Sequence, residues 1–222
     1  MKTIFITGVN RGIGLELAKQ YLAEGHAVHG IARSPLKVPL SSLRLHEADV
    51  TDWKALSKIQ ASLSHDKTSF DLLINNAGIY GGDTQDLGNV TPETLLRTFT
   101  VNSVAPLMMV QTFLPLLKEG SLVCSITSLM GSIDDNTSGG YYAYRASKAA
   151  LNMMTKSLSV DLKNKDITAI VMHPGWVKTD MGGPGAPVTP EESVTGIRKV
   201  LDSVTPSDSG KFFNFRGKGL PW

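Results

Sequence analysis

Short β-branched runs alternate with longer helical patterns from one end of this chain to the other, and few architectures accept that order. The strand-like runs cover 3–7, 26–32, 43–47, 70–75, 121–127, 167–173 and 211–215. Several, such as TIFIT and FDLLIN, are apolar almost throughout, as strands covered on both faces must be. Helical periodicity fills the gaps at 12–24, 52–63, 92–117, 142–163 and 190–204. Pro near several starts, with Gly25 and Gly120 just beyond the last turns, are start and stop signals. Strand and helix in strict alternation require crossover connections, hence an α/β fold with a doubly wound parallel sheet and helices on both faces.

Composition narrows what such a fold is for. The 222 residues are 41% hydrophobic, enough for one well-buried core, so a single domain spanning 1–222 is expected. With 22 basic against 20 acidic residues, scattered rather than clustered, neither nucleic acid nor an anionic membrane is the expected partner. No run of about 18 apolar residues stands out as a bilayer span, and the chain opens on a strand rather than a charged-then-apolar leader. The lone Cys124 lies in an apolar run and has no partner for a disulfide, which fits a reducing, cytoplasmic setting.

The first strand runs into TGVNRGIG, residues 7–14, and then a helix. Glycine permits a tight turn and close approach of a ligand, and a helix start presents unpaired N–H groups at its positive dipole end. Gly8, Gly12 and Gly14 read G-x-x-x-G-x-G, and their place at a strand-to-helix junction points to dinucleotide phosphates rather than to a plain turn. At the end of the second strand, GIARSP puts Arg33 where an acidic residue would receive a free ribose hydroxyl. Arg11, inside the glycine turn, can reach toward the same place. Two guanidiniums suit a doubly charged phosphate, so NADP(H) is preferred and NAD(H) possible. Each arginine alone reads equally well as solvated surface.

The stretch YRASKAAL, residues 144–151, sets Tyr144 and Lys148 four apart on one helix face. A fixed ammonium favours phenolate, and a tyrosine drawn toward neutrality can give and retake a proton, as interconverting an alcohol and a carbonyl requires. The same spacing also describes a solvated lysine beside a half-buried tyrosine.

The glycine turn, NNAG at 75–78, Asn102, Ser128, YRASK and HPGWVKTDM stand in the order of the short-chain dehydrogenase/reductase family, which this chain resembles over most of its length. The segments SITSLMGSIDDNTSGGYYAYRASKAALN and SGKFFNFRGKGLPW resemble its C-factor-like and sniffer-like carbonyl reductases. The resemblance implies a Rossmann-type sheet of about seven strands in the order 3-2-1-4-5-6-7. It makes Tyr144 the proton donor, with Lys148 lowering its pKa and holding the nicotinamide ribose. Ser128 would polarise the carbonyl oxygen, with Ser125 and Thr127 as neighbouring alternatives, and Asn102 would hold a water that returns the proton. Asn102 followed by Pro106 also reads as a kink.

For the cofactor, the resemblance implies Gly8, Asn10, Arg11, Gly12, Ile13 and Gly14 along the phosphates and Arg33 at the ribose phosphate. Asp49 would accept from the adenine amino group and Val50 would form one side of its slot. Asn76, Ala77 and Gly78 would support the adenosine side, with Asn75 structural; Pro174, Gly175, Val177 and Thr179 would hold the nicotinamide. Asp49 also reads as a helix cap, a task that Thr51 or Asp52 suits better. His173 precedes a proline at a strand end and reads as structural, and the histidines show no metal-ligand spacing.

The expectation is an NADP(H)-dependent oxidoreductase that reduces aldehydes, ketones or quinones, or oxidises the alcohols. Met130, Tyr141, Trp176 and Met181 would give an apolar pocket, open to many substrates because the loop at about 179–190 is short and Gly-rich. The alternative is a dinucleotide-binding signalling or sensor protein of C-factor type with little turnover. A nucleotide-sugar epimerase or dehydratase would need more chain after the sixth strand. Relatives associate through the helices bearing Asn102 and Tyr144, so a homodimer or homotetramer is expected.

Overall fold

The computed structural model describes residues 1–36 and 40–222. Its seven strands are β1 Thr3–Thr7, β2 Ala27–Ala32, β3 Leu43–Glu47, β4 Phe70–Asn75, β5 Leu117–Ile126, β6 Thr168–His173 and β7 Phe212–Asn214. They form one sheet in the order β3-β2-β1-β4-β5-β6-β7, every pairing parallel. The expected fold class and strand order are therefore observed. The helices are α1 Gly12–Ala23, α2 Trp53–His65, α3 Pro92–Phe99, α4 Ala105–Phe113, α5 Tyr142–Asp161 and α6 Pro190–Ser203.

Alternation along each strand feeds two cores. Ile4 and Ile6 of β1 pack with Ile74, Cys124, Ile170 and the α1 and α6 side chains Leu17 and Ile197. Phe5, between them, packs on the other face with Leu73, Val123 and the α2 and α4 side chains Leu56 and Phe113. Each such fully buried side chain stabilises the fold by about 1.5–3 kcal/mol. The helix starts are fixed locally: Asp52 accepts from the Ala55 amide, Thr91 from Thr94 and Thr189 from Glu192. Gly25 (φ +79°) ends the first helix as its position predicts. Gly120 (φ +77°) does not: it lies inside β5, where a register shift against β4 needs a left-handed residue.

The pattern at 92–117 reads as one helix, and the structure breaks its ladder. Pro106 has no N–H, so the carbonyl of Asn102 loses its ordinary helical donor. The backbone responds with a π turn at Thr100–Val104, in which the Ala105 amide reaches five residues back to Thr100. The expectation that no stretch could span a bilayer also needs correction. By length and composition Pro92–Leu116 is apolar enough, because α3 packs against α5 and α4 against β4 and β5, and 44% of its most apolar stretch is buried. The carboxyl ends of β1, β4, β5 and β6 open on one side, and the order reverses between β1 and β4, where such sheets bind ligands.

Candidate active site

Glycines shape the floor of this cleft. A Cβ on Gly14 would stand 2.1 Å from the Gly8 carbonyl oxygen, and one on Gly8 would stand 3.1 Å from the Ala77 Cα. Gly8 and Gly12 are left-handed, with φ of +75° and +55°. α1 starts with Arg11 extended at its N-cap, no side chain capping it and no acid in its first turn, so its free N–H groups remain for an anion. Ile13 packs against the core behind the turn. Asn76 donates from Nδ2 to the carbonyls of Thr7 (2.9 Å) and Gly8 (3.3 Å), while the amides of Asn76 and Ala77 both donate to Thr7 Oγ1 at 3.0 Å. Asn76 thus ties β4 to β1, and Asn75, whose Nδ2 donates to the Pro106 carbonyl (3.2 Å), ties β4 to the broken helix.

Toward β2 the site becomes a solvated rim. Arg33 faces Asp49 at 3.8 Å, with the two side chains 65% and 39% exposed. Asp49 Oδ1 accepts from the amide and hydroxyl of Thr51, leaving Oδ2 toward Arg33, and the cap of α2 falls to Asp52. Val50 is buried among Phe5, Ile31 and Leu56. Asn10 Nδ2 donates to Ser34 Oγ at 3.3 Å, which joins the glycine turn to the residue after Arg33. Arg11 turns the other way and pairs with Asp180 at 2.7 Å, also in solvent.

At the opposite end the polar groups are buried, bonded to one another or to the main chain. Asn102 Oδ1 accepts from the Ile79 amide (2.8 Å); its Nδ2 donates to the Ile79 carbonyl (2.9 Å) and to Ser147 Oγ (3.0 Å). Lys148 Nζ donates to the Ile126 carbonyl at 2.9 Å and lies 5.9 Å from the centre of the Tyr144 ring. A side chain at Gly78 would come within 3.2 Å of Asn102 Oδ1 and 3.7 Å of Lys148 Nζ. Burial pushes the Tyr144 phenol above its usual range, against the opposing pull of the Ser128 hydroxyl that faces it. Burial brings Lys148 down to about 8. The expectation of a phenol drawn toward neutrality by the ammonium is therefore corrected: desolvation dominates, and the ammonium is aimed at a carbonyl.

The neighbouring hydroxyls are distinguished by their partners. Thr127 Oγ1 donates to Asn152 Oδ1 (2.6 Å), buried Ser125 Oγ has no partner among the described residues, and the hydroxyl that faces Tyr144 is that of Ser128. His173 accepts from the Leu129 amide at Nδ1 (3.2 Å) and is pushed down to about 4 by burial, a neutral tie between β6 and the turn bearing Ser128. Gly175 (φ +88°) turns the chain after Pro174, whose carbonyl accepts from Ser193 Oγ at 2.6 Å. Val177 points into the core, while the Thr179 methyl closes on the glycine turn, 3.2 Å from where a Gly12 Cβ would lie. Tyr141, Trp176 and Met181 are all exposed, Trp176 donating to the Gly182 carbonyl at 2.7 Å. Among the described residues no cluster of three or more His, Cys, Asp or Glu could hold a metal.

Residues with no signature in the sequence also take part. Ser34 follows Arg33 at the rim, and Ser147 receives Asn102 and donates to the Tyr144 carbonyl at 2.8 Å. Gln85, from the connection after β4, accepts from the Tyr144 amide at 2.8 Å. Each is a small polar residue whose partner is set only by folding.

The short chain dehydrogenase family model matches residues 2–187. The curated protein C-signal of Myxococcus xanthus is 47% identical over 154 residues, 68% of this chain and 92% of that protein. Among solved structures, carbonyl reductase Sniffer of D. melanogaster superposes with a TM-score of 0.94 at 35% identity, over 100% of both chains. An NADPH-bound carbonyl reductase from chicken fatty liver gives 0.92 at 35% identity, over 100% of this chain and 99% of that one. A family match that runs from β1 to the loop before α6, on a sheet that superposes end to end, means that this chain belongs to the short-chain dehydrogenase/reductase family.

Proposed function

We propose that the protein is an NADP(H)-dependent oxidoreductase that reduces carbonyl compounds (aldehydes, ketones and quinones) or oxidises the corresponding alcohols, with Tyr144 as proton donor. The observation that carries this reading is the buried chain of bonds from Asn102 through Ser147 to the Tyr144 carbonyl, with Lys148 buried beside a tyrosine that faces Ser128. The cofactor fits the residues present: the close approach at Gly8 and Gly14 leaves no side chain over the turn, and the uncapped start of α1 meets it. Gly8, Asn10, Arg11, Gly12, Ile13 and Gly14 would hold the phosphates, Arg33 and Ser34 the ribose phosphate, and Asp49 and Val50 the adenine. Asn76, Ala77 and Gly78 would form the near wall, with Pro174, Gly175, Val177 and Thr179 at the nicotinamide. The similarity to the NADPH-bound reductase from chicken supports that choice over NAD(H).

When bound, the cofactor supplies or takes the hydride at the carbonyl carbon. Ser128 holds the carbonyl oxygen and polarises it, and Tyr144 delivers the proton to that oxygen. A phenol held above its usual range stays protonated at neutral pH but is a weaker acid than free tyrosine, and the Ser128 hydroxyl that faces it pulls the other way. Lys148, at about 8, changes protonation near working pH, so it can return a proton to Tyr144 once the phenolate has formed. Asn102, whose carbonyl lacks its helical donor because Pro106 has no N–H, would hold a water that links Lys148 to solvent and returns the proton. Trp176 and Met181 on an exposed loop support broad specificity for apolar substrates.

Exposed Leu96, Val104, Met153 and Val160 on α3 to α5 support symmetric association, which light scattering would test; a monomer would exclude it. Cofactor oxidation against a panel of aldehydes, ketones and quinones tests the activity. Turnover of several with NADPH is expected; no turnover of any would overturn the reading. The similarity to C-signal favours a second reading, a signalling or sensor protein with little turnover. That reading prevails if Tyr144→Phe abolishes turnover and leaves the biological effect intact.

A further inference from the structure

α5 carries Tyr144 and Lys148 yet brings no cap of its own. Its N-cap residue, Tyr141, is held left-handed at φ 51°, ψ 38°; no side-chain cap bond comes from it and no acidic residue lies in the first turn. The first bond within the helix runs from the Arg145 amide to the Tyr141 carbonyl (2.9 Å), so the amides of Tyr142, Ala143 and Tyr144 need partners from elsewhere. One residue, 59 positions before Tyr144, serves two of them. The main-chain carbonyl of Gln85 takes the Tyr142 amide at 3.1 Å, and Gln85 Oε1 takes the Tyr144 amide at 2.8 Å. Both hydrogens of Gln85 Nε2 are committed as well, to the carbonyls of Tyr80 (2.8 Å) and Gly82 (2.7 Å). Two carbonyls on one side and an N–H on the other leave one orientation for the amide. Gln85 is 1% exposed, so these partners cannot be replaced by water. The loop it closes lays the Tyr80 ring 5.0 Å from that of Tyr144 and 5.8 Å from that of Tyr141.

We propose that Gln85 is a positioning residue for the proton donor, capping the helix of Tyr144 from another loop and pressing the Tyr80 ring against its phenol. The inference rests on Tyr144 being that donor. The tether holds the peptide of Tyr144 itself, so its loss moves the phenol relative to Ser128, while the glycine turn and Arg33 are untouched. An amide is required because it accepts once and donates twice. A carboxylate could still accept from the Tyr144 amide, but its second oxygen would face the Tyr80 and Gly82 carbonyls with no hydrogen to offer.

The test compares Gln85→Leu and Gln85→Glu with the parent and with Tyr144→Phe, using NADPH and a carbonyl substrate that the parent turns over. In Gln85→Leu, kcat at saturating NADPH should fall roughly tenfold to a hundredfold, the cost of a small misplacement, while the Kd for NADPH stays within about twofold. Gln85→Glu should show a comparable loss at pH 8 that recovers as pH falls and its carboxyl regains a donor, a trend absent from the parent. A kcat within about twofold of the parent in either folded variant, equal losses in kcat and NADPH affinity, or a Gln85→Glu profile parallel to the parent would each overturn the proposal. If Gln85→Leu does not fold, the Gln85→Glu profile decides. Full activity in Tyr144→Phe would instead remove the donor reading on which the inference stands; an inactive Tyr144→Phe beside fully active Gln85 variants would sink the inference alone.

Discussion

At the Tyr144 end of the cleft Asn102 and Ser147 are 0% exposed and Lys148 is 5% exposed, whereas at the other end the side chains of Arg33 and Arg11 are 65% and 64% exposed. The buried end is held by short bonds to one another and to buried main-chain groups, so its geometry is part of the fold. The exposed end is held by ion pairs in water, which are worth about 0–1 kcal/mol and can exchange a carboxylate for a phosphate at little cost. A protein built this way keeps its chemistry rigid and leaves recognition soft. Changes at one end should register in kcat and stability, and changes at the other in cofactor affinity and its response to salt.

The largest expected effect tests the rigid end. Tyr144→Phe should lower kcat roughly 10²- to 10⁴-fold, as loss of a general acid does, while NADPH binding by fluorescence titration is retained. Next comes stability. Asn102→Leu strands the Ile79 amide and carbonyl, at about 1–3 kcal/mol for each buried group left unpaired, while Arg11→Ala should stay within about 0.5 kcal/mol in urea unfolding. Equal losses in the two variants would break the contrast. A third test is of pH. His29, beneath the Arg33 end, and His173, beneath the Ser128 turn, are both pushed down to about 4 by burial. Their folded values lie below the unfolded one, so the unfolded chain binds more protons between about 4 and 6.5, and stability is lost as pH falls through that window. A melting temperature that is flat from pH 7 to pH 4.5 would contradict the burial of both rings.

How much of this was legible follows from how local each signal is. Strands such as TIFIT and FDLLIN announce a sheet covered on both faces in their own composition, and Gly8 and Gly14 announce a close approach because no other residue fits there. The Tyr144 and Lys148 spacing is likewise a property of one helix. The direction of the Tyr144 shift was not legible, because it depends on how deeply the ring is buried and on Lys148 choosing the Ile126 carbonyl. The π turn was half visible: Pro106 shows that a bond is lost, but not that the backbone takes up the slack at Thr100–Val104. Gln85 and Asp180 were invisible, since a glutamine 59 residues from the amide it caps and an aspartate opposite Arg11 carry no mark of their partners.

The central claim is that discrimination of the cofactor resides in exposed cations and the chemical step in the buried network. The most direct test is titration calorimetry of NADPH and NADH onto the parent and Arg33→Ala at low and high salt, with kcat measured at saturating NADPH. The account predicts that Arg33→Ala weakens NADPH binding by about tenfold or more, leaves NADH binding as it was, removes most of the salt dependence and does not move kcat. An Arg33→Ala protein that binds NADPH as the parent does, or one whose kcat falls while its affinity holds, would contradict it.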